Sequence, residues 1–265
     1  MREVVLDHDV TLTYCERGAG GGPTVVLLPG PTDSWRSYQP VLESLPEGVR
    51  AIAVSLRGHG DSSKPPSGYR IEDLAFDVVP FLDALDIPTT VLVGHSGSCL
   101  VARRVALDNP QRVAGLVLEA SPTTLRGDAA LVRFVDTVLA ELTDPVDHEF
   151  ARSVIVGTST EHLASELEEQ LVDDLVKLPV AAWRQMFASL LDYDDTSDLS
   201  ALHGPALLIW GDADQLVPRS MQEQLLHRLV QAELIVYPGA GHTPRWEQPQ
   251  RFAQNVAEFA SRHCS

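Results

Sequence analysis

Short apolar runs recur along the chain at Thr24–Leu28, Ala51–Val54, Thr90–Val93, Val113–Leu118, Ala206–Ile209 and Glu233–Tyr237. They are brief, bounded by turn residues, and lack the polar alternation of a half-exposed strand. That is the pattern of strands buried on both faces. Two further strands are expected at Glu3–Leu6 and Val10–Glu16, and the glycine-rich stretch Gly18–Pro23 reads as a turn. Helical patterns fill the intervals. In Ile71–Leu85, Leu74, Val78 and Leu82 (or Phe81) share one face; Cys99–Leu107, Arg219–Val230 and Gln248–Arg262 are others. Strand alternating with helix predicts an α/β fold, a mostly parallel doubly wound sheet covered on both sides.

One segment breaks the alternation. From about Thr123 to Leu202 the patterns are helical and no strand is evident. Leu131, Phe134, Val135 and Val138 share a face, as do Trp183, Met186, Phe187 and Leu190. Thr158 and Glu161 have the spacing of a capping box ahead of Leu163 and Leu167. The expected organisation is a core of residues 1–122 and 203–265 with a helical cap, 123–202, inserted between two strands. A cap placed there would lie over the C-terminal edge of the sheet, where open α/β sheets bind ligands.

The chemistry concentrates at that edge. In Gly94-His95-Ser96-Gly97-Ser98 a strand stops at a glycine and a helix follows at once. A serine at such a junction sits on a sharp turn with its hydroxyl exposed, above the unpaired N–H groups of the helix start. Asp212 and Asp214 follow the strand Ala206–Ile209, and His242 follows Glu233–Tyr237. Ser96, Asp214 and His242 are therefore the candidate nucleophile, orienting acid and base. Asp212 is read as a turn residue, and Glu119 is a weaker candidate for the acid. Gly97 offers its N–H to an oxyanion.

These residues resemble the α/β-hydrolase superfamily, in particular its small bacterial members with a helical cap, which use the chain order Ser…Asp…His. The resemblance spans nearly the whole chain. It includes Arg57-Gly58-His59-Gly60-Asp61-Ser62, Asn109-Pro110-Gln111-Arg112-Val113 and Gly211-Asp212-Ala213-Asp214 with Val217-Pro218. It implies that Asp214 orients His242, and that Arg57, His59 and Asp61 are scaffold. Related epoxide hydrolases and haloalkane dehalogenases place Asp at the nucleophile position, so Ser96 argues against both. Ser98 stands where the family usually has Gly, a form also found in some serine esterases and related hormone receptors. Pro29-Gly30-Pro31 stands where the family has His-Gly-x, the x residue giving the second oxyanion N–H. Proline has none. Thr32, through its N–H or hydroxyl, is the expected substitute beside Pro31.

The resemblance implies hydrolysis of an ester or lactone with no cofactor and no metal. Trp35, Trp183, Phe187 and Trp246 are the expected lining of an apolar substrate pocket, with Tyr38 and Met186 as further candidates. The proline loop motivates an alternative, a non-hydrolytic cofactor-independent lyase, cyclase, perhydrolase or oxygenase. Ser98 motivates another, a receptor-like binding protein that keeps the triad. Composition narrows the partners. With 265 residues and a formal charge of −17, the chain lacks the basic clusters that nucleic acid or an anionic membrane surface demands. No signal peptide or membrane span is visible, and three widely spaced cysteines, Cys15, Cys99 and Cys264, fit reduced thiols in a cytoplasmic protein. No Cys/His cluster has zinc spacing and no Walker loop is present. A small-molecule substrate and a monomer or homodimer are expected.

Overall fold

The computed structural model describes residues 1–18 and 21–264. The glycine-rich turn expected over 18–23 includes positions 19 and 20, which lie outside the described residues. Eight strands form one sheet: β1 (Arg2–Val5), β2 (Thr11–Arg17), β3 (Thr24–Leu28), β4 (Arg50–Ser55), β5 (Thr90–His95), β6 (Val113–Glu119), β7 (Pro205–Gly211) and β8 (Gln231–Tyr237). Their order is β1-β2-β4-β3-β5-β6-β7-β8, and only the pairs β1–β2 and β2–β4 are antiparallel. The chain leaves β3 toward β4 on one side and later returns to β5 on the other. The loops after β3 and β5 thus part at a topological switch point, where such sheets open a crevice. The register aligns the strand ends there, with Leu28 opposite Gly94 and His95 opposite Glu119.

The helices are α1 (Gln39–Ser44), α2 (Ile71–Ala84), α3 (Ser98–Asp108), α4 (Ala129–Phe134), α5 (His148–Val156), α6 (Ser165–Leu175), α7 (Val180–Asp192), α8 (Arg219–Arg228), α9 (Pro244–Glu247) and α10 (Pro249–His263). Because side chains alternate along a strand, each central strand feeds two cores. Val26, Leu28, Ile52, Val54 and Leu92 join one cluster with Leu74, Val78 and Leu82 of α2. Val25, Leu27, Ala51, Ala53, Val91 and Val93 join the other, with Phe252, Val256 and Phe259 of α10. Each fully buried Val or Leu contributes about 1.5–3 kcal/mol. The fit is tight enough that Gly115 admits no side chain, since a Cβ there would meet Phe259 Cε1 at 2.8 Å.

Between β6 and β7 lie α4 to α7 and a π-helical turn at Val135–Leu139, with no strand. The capping box expected at Thr158 is not formed. No helix starts there, and α6 begins at Ser165 after an Ala164 that makes no side-chain cap. Thr158 is otherwise engaged: its hydroxyl donates to Ile155 O, 2.8 Å, and its carbonyl accepts the backbone N–H of His242, 3.1 Å. Among the described residues no helix is long and apolar enough to cross a membrane.

Candidate active site

Ser96 follows β5 with φ +53°, in the left-handed region that non-glycine residues rarely occupy. Its neighbours must be small for this turn to close. A Cβ on Gly94 would meet Cys99 Cα at 2.8 Å, and one on Gly97 would meet Pro31 Cγ at 2.7 Å. Ser96 N–H donates to Glu119 O, 2.9 Å, which pins the turn to the end of β6. Ser98 is more than a tolerated small residue, because its hydroxyl donates to Pro29 O at 2.5 Å. Cys99 is buried and its thiol is pushed up to about 12 by burial, so it is inert.

His242 Nδ1 donates to Asp214 Oδ2 at 2.9 Å, and both residues are buried. The other Asp214 oxygen accepts from Leu216 N, 2.8 Å, and Val217 N, 3.0 Å. With its proton on Nδ1, His242 presents the Nε2 lone pair of a base. Asp212 faces elsewhere, accepting from Gly239 N at 2.6 Å. Glu119 is occupied by Arg245, whose backbone N–H lies 2.9 Å from Oε1 and whose guanidinium lies 3.3 Å from Oε2. Of the three carboxylates considered, Asp214 alone joins the histidine. Among the described residues no hydrogen bond yet links Ser96 Oγ to His242 Nε2, a contact that often tightens only when substrate binds.

The His242 loop is braced from both sides. Its carbonyl accepts from His95 Nε2, 3.0 Å, and its N–H reaches Thr158 in the α5–α6 connection, 3.1 Å. Burial holds His95 well below the usual histidine value, so it stays neutral. Below the site, Arg245 is fully buried and ties three loops together. It donates to Asp33 Oδ2, 2.8 Å, in the loop after β3, to Ser37 Oγ, 2.7 Å, and to Glu119 at the end of β6. Burial raises Asp33 and Glu119, and the Arg245 charge opposes that rise.

Ser96, Gly97, His242, Pro31 and Thr32 line one cavity of about 470 Å³. Trp183, Phe187 and Trp246 line it as the sequence suggests, but Trp35 does not. The Trp35 ring packs into the α1–α10 core, with Arg36 over its face. Tyr38 and Met186 are also core residues. Sequence reasoning missed His95, Leu125, Val154 and Leu216 as lining residues. Leu131 and Phe134 were visible as one helical face, and the absence of any fully buried residue in α4 explains that face: it looks into the cavity. Pro31 lines the site but brings no N–H, and the Thr32 N–H is spent on His59 Nε2, 3.2 Å. The backbone of Thr32 is therefore not the expected substitute donor.

A strained serine at the switch point of a mostly parallel sheet, lining one cavity with a histidine held by an aspartate, defines the class. A model of the α/β-hydrolase fold matches residues 23–249, and the chain belongs to that family. The chain is 30% identical over 257 residues to a Variovorax paradoxus protein provisionally named a carbamate hydrolase, covering 95% of this chain and 96% of that one. It is 28% identical over 250 residues to the pimeloyl-acyl-carrier-protein methyl ester esterase of Vibrio campbellii, covering 91% and 96%. A thermophilic esterase from Thermogutta terrifontis shares the fold, with a TM-score of 0.86, 24% identity and 100% of both chains covered.

Proposed function

We propose that the protein is a serine hydrolase that cleaves an ester or lactone of a small to medium apolar substrate. The observation that carries this reading is the hydrogen bond to Asp214 from His242, which lines one cavity together with Ser96. Ser96 Oγ attacks the carbonyl carbon while His242 Nε2 takes its proton. Asp214 stabilises the imidazolium. The tetrahedral oxyanion accepts from Gly97 N–H, which has no other partner among the described residues. Collapse expels the alcohol, which leaves with the proton from His242. Water then attacks the acyl-enzyme, His242 again taking and returning a proton, and the acid is released.

A cavity of about 470 Å³ lies in the lower half of the roughly 300–1,000 Å³ typical of ligand pockets. Its walls include Leu131, Phe134, Trp183 and Phe187, from α4 and α7. We assign the segment 123–202 as a lid that keeps water from the apolar part of the substrate. Neighbours named as esterases support the reaction type.

The test is labelling by a fluorophosphonate probe, located by mass spectrometry, with Ser96→Ala as control and p-nitrophenyl acetate and butyrate as substrates. Labelling at Ser96 with turnover is the expected result. No labelling of folded protein would remove the activated serine. One observation favours a second reading: Pro31 has no N–H and that of Thr32 is engaged. Labelling at Ser96 with no turnover of either ester would favour non-hydrolytic chemistry on the same triad.

A further inference from the structure

Few groups near Ser96 can receive a developing oxyanion. Gly97 offers one N–H. The loop packed against Gly97 is Pro29–Ser34, whose Pro31 ring lies within contact of it. Pro31 has no donor, and the Thr32 N–H is held by His59. One side-chain hydroxyl of this loop is left, since that of Ser34 donates to Asp174 Oδ2. The Thr32 hydroxyl has no partner among the described residues, yet it stays accessible although Thr32 as a whole is only 5% exposed. Thr32 lines the same cavity as Ser96, Gly97 and His242.

The backbone points the same way. Thr32 has φ +83°, a costly conformation for a β-branched residue that persists only where the surroundings impose it. A local turn sets it, Asp33 N–H donating to Gly30 O at 3.0 Å with Pro31 and Thr32 at its two central positions, and His59, which is buried, braces the result. Its Nδ1–H donates to Arg57 O at 2.9 Å, so Nε2 presents a lone pair to Thr32 N–H. Burial also keeps this imidazole neutral.

We propose that the Thr32 hydroxyl is the second oxyanion donor, and that His59 is the positioning residue that fixes the Thr32 backbone. The inference rests on the serine-hydrolase reading above. As Ser96 Oγ bonds to the carbonyl carbon, the C=O π pair moves onto oxygen, which accepts from Gly97 N–H and Thr32 O–H. The Thr32 proton stays where it is.

The test measures p-nitrophenyl butyrate kinetics and the rate of fluorophosphonate labelling, which needs no turnover. Thr32→Val keeps the shape and removes the donor. It is expected to lower both kcat and the labelling rate about 100- to 1000-fold with little change in KM. Thr32→Gly, which removes the strain as well, should lose the same activity with an undiminished melting temperature. Thr32→Ser should restore most of the rate. His59→Phe should lower kcat less than Thr32→Val, and adding it to Thr32→Val should cost almost nothing further. Thr32→Val with wild-type labelling and kcat would overturn the proposal while leaving the triad intact. Additive losses would overturn the role of His59. A wild-type protein neither labelled at Ser96 nor active would remove the hydrolase reading, and this inference with it.

Discussion

The loop after β5 and the loop after β3 pack against each other and line the same cavity, and they are specified differently. The Ser96 turn is mostly local. Its positive φ, the crowding at Gly94 and the helix that starts at Ser98 all arise within residues 94–99, and tertiary contacts add the Ser96 N–H bond to Glu119 O and the crowding of Gly97 by Pro31. The Pro29–Ser34 loop has one local turn, Asp33 N–H to Gly30 O, and is otherwise held from a distance. Ser98 grips Pro29 O, His59 grips Thr32 N–H, Arg245 grips Asp33, and Asp174 of α6 accepts from Ser34 Oγ at 2.7 Å. The difference is one of degree: the Ser96 turn takes most of its shape from neighbouring residues, whereas the β3 loop adds to its local turn four side-chain contacts from elsewhere in the chain. A substitution far along the chain should therefore disturb the second loop more than the first.

The largest expected effect sets the scale by leaving both loops intact. Asp214→Asn keeps the shape of the side chain but loses the charge and favours the wrong His242 tautomer. In a Ser-His-Asp site this drops kcat by about 10⁴. The fold should survive, because Leu216 N and Val217 N can still donate to the amide oxygen. A loss below tenfold in p-nitrophenyl butyrate hydrolysis would mean that Asp214 only shapes its turn.

Next comes Arg245→Met, which attacks the distant support of the β3 loop. It strands the buried carboxylates of Asp33 and Glu119 without their cation. Breaking such a buried pair costs about 3–5 kcal/mol. Chemical denaturation at pH 7 should show that loss. The variant should also recover part of it at lower pH, as the two acids take up protons. A stability equal to wild type would mean that the two carboxylates are already neutral and that Arg245 braces nothing.

Much of this design was legible in the sequence, and the rest was hidden for a physical reason. Strand runs and helical faces gave the sheet order no direct signal but placed Ser96, Asp214 and His242 at strand ends, because the local punctuation marks where each strand stops. The structure puts Ser96 and His242 on one cavity and joins Asp214 to His242 by a hydrogen bond. Trp35 was misplaced because an aromatic residue looks the same in the sequence whether it lines a pocket or fills a core. Thr158 and Glu161 had capping-box spacing, but the Thr158 hydroxyl went to Ile155 O and its carbonyl to His242, a distant partner that periodicity cannot reveal. His59 looked like scaffold, and its link to Thr32 depends on how two loops meet over the sheet. The Arg245 network left no trace either, since no short motif joins positions 33, 119 and 245.

The same distant support carries a pH signature. Burial lowers His59 from 6.5 to about 4, so the folded protein holds it neutral where the unfolded chain takes up a proton. Its contribution to stability is full above about 6.5, falls as the pH drops, and is lost by about 4. At about 1.4 kcal/mol per pH unit this amounts to about 3 kcal/mol. Other buried groups titrate too, so the comparison is with His59→Asn, which cannot protonate. The stability gap between wild type and variant should narrow by that amount between pH 7 and pH 4. A gap that does not vary with pH would mean that His59 remains accessible to protons and does not anchor Thr32 as a neutral acceptor.

The smallest effect is the most discriminating between the two loops. Ser98 belongs to the Ser96 turn by position but serves the β3 loop through its bond to Pro29 O. Ser98→Ala keeps the small size that the turn demands and removes only that bond, at a cost of about 1 kcal/mol. If the division between the loops is right, the variant loses that stability, and Ser96 is labelled at nearly the wild-type rate. The residual change in kcat should be less than tenfold, because His59 and Arg245 still hold Thr32 and Asp33. A large fall in labelling with unchanged stability would reverse the assignment. It would place the Ser98 hydroxyl in the chemistry of the turn and make the two loops a single unit.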